Sequence, residues 1–359
     1  MTATPSRTQR LCDDIFAAIL DGHYAPGDVL PPERELAERS GTSRVTVRRA
    51  YAELEHRGVL KRVQGSGTRV SDQVRGNPNP IKYVALLSAV RDPFAQEFVQ
   101  SLEAALTRIG AFLILKLTDG DVERERHAAA HLVREGIANF VVWPGGASTA
   151  SDLFERVRVL GVNVVFIDRM LPGPRVDFVG MDNRDAITTL MTHARQSGFT
   201  DFIFVSHAGL NADSDRLREQ AFTETCRDGG LTHQIVRVPW KGNTVEVLAA
   251  ARHEWFPVAR RGTRAVLCVN DTLALRVKSM LGTSWQVYGI DGLDEAVGAG
   301  IPTYRQPFGG MARQALRRLQ AQRETSRPWK RRCVEVTGHL IVPASQTLAR
   351  SEGATFDAK

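Results

Sequence analysis

The sequence predicts an α/β chain of two folding units, a small N-terminal unit of three helices and a β-hairpin followed by a large unit of parallel sheets. Three observations carry this expectation. The 359 residues exceed what one ordinary core holds. Up to about residue 71, apolar positions recur at helical spacing and are broken by strong turn signals. Beyond Lys82, short apolar runs alternate with amphipathic segments, the pattern of parallel sheets covered on both faces by helices.

The small unit opens with residues 8 to 21, where Leu11, Ile15 and Ile19, flanked by Phe16 and Leu20, form one apolar stripe ending at Gly22. A Pro-Gly turn and a Pro-Pro pair then start a second helix, from Pro32 to Arg39, with Leu36 and Ala37 inward and Gly41 as its stop. Ser43 caps the third helix, and "GVLKRVQGSGTRV" reads as two short strands around a Gly-Ser-Gly tip.

The third helix sets the function class. Val47, Ala50, Tyr51 and Leu54 fall on one face and must pack inward, which forces Arg44, Val45, Arg48 and Arg49 outward. A helix, a brief turn and a helix with a basic N-terminal end describe a helix-turn-helix able to enter a major groove. Arginine bridges guanine O6 and N7, Ser43 and Thr46 suit phosphate or base edges, and Lys61, Arg62 and Arg69 make the hairpin a basic wing. The net charge of +7 agrees with a polyanionic partner.

The stretches "PGDVLPPERELA", "SRVTVRRA", "LEHRGVL" and "QGSGTRV" occur in this order and closely resemble the GntR-type winged helix of bacterial transcription regulators. The resemblance covers residues 8 to 71. It implies DNA contacts by Arg34, by Ser43, Arg44, Thr46 and Arg48 in the recognition helix, and by Gln64, Gly65 and Gly67 at the wing. Arg49 departs from the family, which often has a smaller or acidic residue there, and is expected to add a phosphate contact. The winged helix is assigned to residues 1–72, and the Asn-, Pro- and Gly-rich stretch 73–81 is read as a partly stiff linker.

In the large unit, "YVALLSA", "AFLILKL", "NFVVWPG", "NVVFIDR", "FIFVSHA", "AVLCVND" and "QVYGIDG" are the strand candidates. Ligands of open parallel α/β sheets bind beyond the C-terminal strand ends. Here those ends are polar: Asp92, Asp168 with Arg169, Asn270 with Asp271, and Asp291. Asp and Asn beside Arg suit vicinal hydroxyls, and Phe94, Phe98 or Trp240 could cover an apolar sugar face. Capping of the next helix explains any one such residue equally well; their number favours one shared cleft.

Residues 82–345 resemble the LacI-type effector domain, a relative of periplasmic sugar-binding proteins, through "DPFAQEFVQSLEAAL", "FIDR" followed by "VDFVGMDN", "SDRLREQAF", "AVLCVNDTLAL", "VYGIDG", "PTYRQPF" and "GHLIVPAS". The resemblance implies a bilobed periplasmic-binding-protein-like domain with two parallel-sheet α/β subdomains. Its crossovers are expected near Met181, Tyr304 and Arg327, giving one lobe from 82–180 and 305–326 and another from 181–304 and 327–345, before a tail at 346–359. It also implies effector contacts by Arg218, Asn270, Asp291 and Gln306, with Trp240 stacking on the ligand. The short loop in "LGTSWQVYGID" and Ala221, where the family usually has Gly, depart from the pattern and leave the effector open.

The four cysteines, Cys12, Cys226, Cys268 and Cys333, are widely spaced and read as small buried hydrophobes. The sequence contains no signal-peptide core, membrane-length apolar run, nucleophile elbow, H-E-x-x-H motif or phosphate-binding Gly loop. His193 and His207 lack evident nucleophile partners, and no metal ligand set or cofactor is expected. The expectation is a cytoplasmic, non-enzymatic transcription regulator without a membrane partner. It binds double-stranded operator DNA as a homodimer and is a repressor released by a sugar or sugar-like effector. The alternatives are a carbohydrate-modifying enzyme with a DNA-binding head, and a DNA-binding regulator whose pocket takes a non-sugar ligand or has decayed.

Overall fold

A computed structural model describes residues 6–73, 77–89, 93–145, 151–171, 173, 175–209, 213–239, 246–248, 263–323 and 329–344. The N-terminal head has α1 (Arg7–Leu20), α2 (Glu33–Ser40) and α3 (Arg44–His56), then β1 (Leu60–Val63) and β2 (Gly67–Val70). Ser6 caps α1 through the amide of Gln9, and Gly41, at φ 62°, ends α2 in the left-handed conformation that glycine adopts without strain. Leu11, Ile15, Ile19, Val47, Ala50, Tyr51 and Leu54 are buried together, as their spacing requires. β1 and β2 pair antiparallel, with Leu60 opposite Val70 and Val63 opposite Gly67.

The first lobe is a six-stranded sheet ordered β13-β7-β6-β5-β3-β4. In chain order its elements are β3 (Tyr83–Ser88), α4 (Pro93–Thr107), β4 (Phe112–Leu117), α5 (Val122–Arg134), β5 (Asn139–Trp143), α6 (Ser151–Val159), β6 (Asn163–Ile167), β7 (Asp177–Met181) and, late in the chain, β13 (Cys333–Val336). Strands β5, β6 and β7 are buried throughout, as expected for a sheet covered on both faces. β4 differs. It is an edge strand that leaves Phe112, Leu115 and Leu117 exposed, so covering on both faces does not extend to it.

The second lobe has the order β14-β12-β11-β10-β8-β9. It contains α7 (Asn183–Gln196), β8 (Asp201–Ala208), α8 (Asp213–Asp228), β9 (Thr232–Pro239), β10 (Arg264–Cys268), α9 (Asp271–Leu281), β11 (Gln286–Asp291), α10 (Asp294–Gly298) and β12 (Thr303–Arg305). β14 (His339–Ile341) closes it, antiparallel to β12, while α11 (Phe308–Gln322) carries the chain back to the first lobe.

The chain divides into two compact units, 1–179 with 312–334 and 180–311 with 335–359. The first crossing lies beside the expected Met181. The second and third fall later than Tyr304 and Arg327, because Thr303–Arg305 is a strand paired with β11 and Cys333–Val336 is a strand beside β7. The segment 305–326 is therefore split between the units, and so is 327–345; Arg327 itself lies outside the described residues. The head falls in the same unit as the first lobe. Cys12, Cys226 and Cys268 are buried, whereas Cys333 is exposed because its strand lies at the sheet edge; all four are free thiols. Burial pushes the Cys226 thiol up to about 12, which makes it a packing residue with little thiolate.

Candidate functional site

The α3 helix presents its N-terminal end to solvent. Arg44, Val45, Arg48 and Arg49 are exposed, and Ser43 Oγ accepts the Thr46 amide at 3.2 Å and sits 3.0 Å from its hydroxyl. The arginines are not equivalent. Arg48 Nε donates to Glu33 Oε2 at 3.1 Å, and Arg62 Nη2 lies 3.5 Å from the other oxygen of Glu33, so one carboxylate restrains two cations. The Glu33 hydrogen bond also pushes the Arg48 guanidinium further up from its ordinary value. Arg44 and Arg49 carry no ion pair among the described residues and remain available to an external anion. Val45, 57% exposed beside them, offers an apolar contact of the kind a thymine methyl makes.

On α2, Arg34 pairs with Glu38 at 3.1 Å on an open surface. At the wing, Gln64, Gly65 and Gly67 are exposed, and both glycines have positive φ, 74° and 84°. Arg69 turns inward. Its Nη1 donates to the Gly27 carbonyl at 2.9 Å and its Nη2 to Ser66 at 2.6 Å, so it braces the wing instead of extending it. Lys61 is held by Asp72 at 2.6 Å.

In the first lobe, Asp168 and Arg169 follow β6. Asp168 has φ 63° and accepts Trp143 Nε1 at 3.0 Å, and Arg169 Nη1 donates to the Pro144 carbonyl at 3.2 Å. Asp92 lies outside the described residues. Phe94 is the second residue of α4, and Phe98 is buried edge-on against Trp143 in the lobe core instead of facing a ligand.

In the second lobe, Arg218 is almost buried on α8; its Nε donates to Asn183 Oδ1 at 2.8 Å and its Nη1 to the Val269 carbonyl at 2.7 Å. Asn270 caps α9 by accepting the Leu273 amide at 2.8 Å, which occupies Oδ1 and leaves its amide nitrogen as a donor. Asp291, at φ 139°, accepts Gln306 Nε2 at 2.8 Å. Gln306 is 4% exposed, and its Oε1 has no hydrogen-bond partner among the described residues. A buried acceptor left unpaired costs about 1–3 kcal/mol. Trp240 lies outside the described residues.

Sequence reasoning names Asp271 only as one more polar strand end and misses its role beneath this site. Asp271 is fully buried and accepts the amides of Gly292 at 2.8 Å and Leu293 at 2.7 Å and the Thr303 hydroxyl at 2.7 Å. Burial pushes its carboxyl up, and the Thr303 hydroxyl, the two amides and the Arg218 charge pull it back. Its position in "VND" looked like one more helix cap. Its role in fixing the Asp291–Gly292 turn depends on a contact across the sheet that no local spacing signals. His207 pairs with Asp215 at 2.9 Å and His193 lies 3.3 Å from the Tyr288 hydroxyl.

Three non-glycine residues have positive φ among the described residues: Asp119, Asp168 and Asp291. Two of the three are the strand-end carboxylates, and strained backbone of this kind gathers where a side chain must be aimed.

Residues 7–70 match the bacterial regulatory proteins of the gntR family, and residues 81–298 match the periplasmic binding proteins and sugar binding domain of the LacI family. The chain is 26% identical over 346 residues to the HTH-type transcriptional regulator PtxS of Pseudomonas aeruginosa, covering 89% of this chain and 98% of that one. It is 31% identical over 136 residues to the arabinose metabolism transcriptional repressor of Geobacillus stearothermophilus, 38% of this chain and 37% of that one. Among solved structures, the trehalose repressor from Escherichia coli superposes with a TM-score of 0.61 at 19% identity, covering 73% of this chain and 100% of that one.

Proposed function

The chain belongs to the family of periplasmic binding proteins and LacI-type sugar-binding domains, carries a gntR-type head and is a transcriptional regulator of that combined kind; from this premise we propose that it is a repressor which a carbohydrate releases from its operator. On this reading the α3 helix reads the major groove through Arg44, supported by Ser43, Thr46 and Arg48, with Arg49, Arg34 and the Gln64–Gly67 tip on the backbone. The effector candidates, in each lobe by itself, are Arg218, Asn270, Asp291 and Gln306 in the second and Asp168 with Arg169 in the first.

The observation that carries the effector assignment is the Asp291–Gln306 pair. Asp291 holds the buried Gln306 side chain through Nε2, and the Gln306 Oε1, unpaired among the described residues, is an acceptor that a hydroxyl of a polyol can supply with a donor. The regulator acts as a homodimer. Tyr83, Ile109, Phe112, Leu115 and Leu117 are exposed on or beside the β4 edge, with Tyr83 stacked on Phe112, and a second copy is the occupant that buries such an apolar edge symmetrically.

A thermal-shift screen of the full chain against pentoses, hexoses, sugar acids, sugar phosphates and nucleosides tests the effector reading. A ligand at 100-fold over its Kd stabilises by about 2.7 kcal/mol. The shift should be selective and vanish in Asp291→Asn, a substitution that tolerates positive φ. A flat response from the folded chain defeats the carbohydrate assignment. In parallel, Arg44→Ala should lower operator affinity by about 1–3 kcal/mol with effector binding unchanged; an unaltered footprint defeats the recognition-helix assignment.

A further inference from the structure

The head and the first lobe form one compact unit, and three independent sets of contacts hold them together. At the C-terminal end of α1 the Leu20 carbonyl accepts Arg156 Nε of α6 at 3.3 Å, and the Asp21 carboxylate accepts Arg134 Nη2 of α5 at 2.6 Å. Gly22 follows at φ 90°, and the Arg156 guanidinium carbon lies 3.4 Å from where a Cβ on Gly22 would sit. Two cations therefore meet the negative end of a helix and its capping carboxylate, where such charges are stabilising. Arg156 is itself braced by Asp152 at 2.9 Å, which Arg126 grips from the other side at 2.6 Å.

Beneath these charges runs one buried apolar cluster, continuous from Leu11, Ile15, Ile19 and Leu20 in the head to Phe154 and Val157 in α6. The chain leaving the head is fastened as well. Fully buried Asn163 accepts the Asn77 amide at 3.0 Å and donates to its carbonyl at 3.4 Å, and Arg323 donates to the Pro78 carbonyl at 3.2 Å. None of these residues belongs to the N-terminal end of α3 or to the wing tip, and Arg44 and Arg49 stay exposed.

We propose that the head is a docked body and not a tethered one: the first lobe clamps α1 through Arg134 and Arg156 and so sets the orientation in which α3 is offered to DNA. The purpose of the clamp rests on the regulator reading above; the docking does not. The placement of α6 gives the clamp a route to the candidate effector residues. The segment that contains α6 starts beyond Pro144, whose carbonyl holds Arg169, and leads into β6, which ends at Ile167, next to Asp168. A ligand seated on Asp168 and Arg169 thus acts on both ends of the segment that seats the head.

Hydrogen–deuterium exchange on the full chain tests the clamp with neither DNA nor sugar present, so it can fail while the regulator reading stands, and the reverse. Asp21 and Arg134 are each nearly half exposed, and reversing either charge leaves both cores intact. Asp21→Arg and Arg134→Asp should each raise amide exchange at least three-fold in residues 17–24 of the head and in 152–160 of the lobe. The double variant should return both segments to within two-fold of the parent. Arg156→Met, which keeps the apolar stem, should raise exchange in 17–24 as well. Parent-like exchange of 17–24 in both Asp21→Arg and Arg156→Met, or a double variant no better protected than the singles, would overturn the proposal.

Discussion

Removing the Asp271 carboxylate is the most informative perturbation of the second lobe. Asp271→Ala deletes the acceptor for two backbone amides and the Thr303 hydroxyl, at a site with no solvent access. Each buried donor left unpaired costs about 1–3 kcal/mol. The Gly292 amide keeps a second acceptor in Thr303 Oγ1 at 3.1 Å, so the loss concentrates on Leu293 and Thr303 and sums to about 2–6 kcal/mol. That is a large share of the 5–15 kcal/mol typical of a folded domain. The same change releases the turn that aims Asp291, so effector affinity should fall with stability. Urea unfolding of the full chain, read by amide exchange at Val287–Leu293, measures the first effect, and titration with the sugar that shifts the parent measures the second. Asp271→Asn keeps the volume but turns an amide nitrogen or a single oxygen toward the same donors, and should fall between the parent and Asp271→Ala. A loss below about 0.5 kcal/mol in Asp271→Ala, the range of neutral surface changes, refutes the buttress.

Three further outcomes follow from named contacts. Gly338→Ala should uncouple β14 from β12 and cost about 3 kcal/mol or more, since its Cβ would lie 2.1 Å from the Arg305 carbonyl oxygen; an unchanged urea midpoint contradicts this. Asp152 is held at about 2 by the Arg126 hydrogen bond and then by Arg156, against the ordinary 3.8. Its contribution is therefore present above about pH 4 and lost as the pH falls toward 2, and because the side chain is half exposed it amounts to less than about 1 kcal/mol; the stability gap between parent and Asp152→Asn should exist at pH 5 and close by pH 2. Glu33→Gln frees Arg48 and Arg62 together, so non-specific DNA affinity should rise and the slope of log affinity against log salt should steepen by about 1–2, checked by titrating a random-sequence duplex from 50 to 200 mM salt.

The parts of this molecule legible in its sequence are those in which one local pattern has one physical outcome. The buried stripe Val47, Ala50, Tyr51 and Leu54 left Arg44, Arg48 and Arg49 no direction but outward, and apolar runs such as "NFVVW" and "NVVFI" could only be interior strands. Reading failed where the outcome depends on a distant partner. β12 and β14 have three residues each and acquire strand character only by pairing, which displaced the expected crossovers. "AFLILKL" has the composition of an interior strand, yet it lies at a sheet edge. Arg69 carries the same charge as Arg44, but the Gly27 carbonyl, far off in sequence, turns it inward.

Ser43 and Asn270 show why cap and ligand are poor alternatives at a helix N-terminus. Each accepts an amide of its own first turn, at 3.2 and 2.8 Å, which is the structural role their residue types suggest. Accepting that bond fixes the side-chain torsion. What remains, a hydroxyl proton on Ser43 and an amide nitrogen on Asn270, is then held in a set direction at little further entropic cost when an external group arrives. The cap orients the donor that a phosphate or a sugar oxygen would meet. Asp291 reaches the same end by strain instead of capping, with φ at 139° and its carboxylate pinned by Gln306. Pre-organised single donors and acceptors of this kind select a ligand by the pattern of its hydroxyls, because a mismatched ligand leaves buried polar atoms unpaired and loses about 1–3 kcal/mol at each.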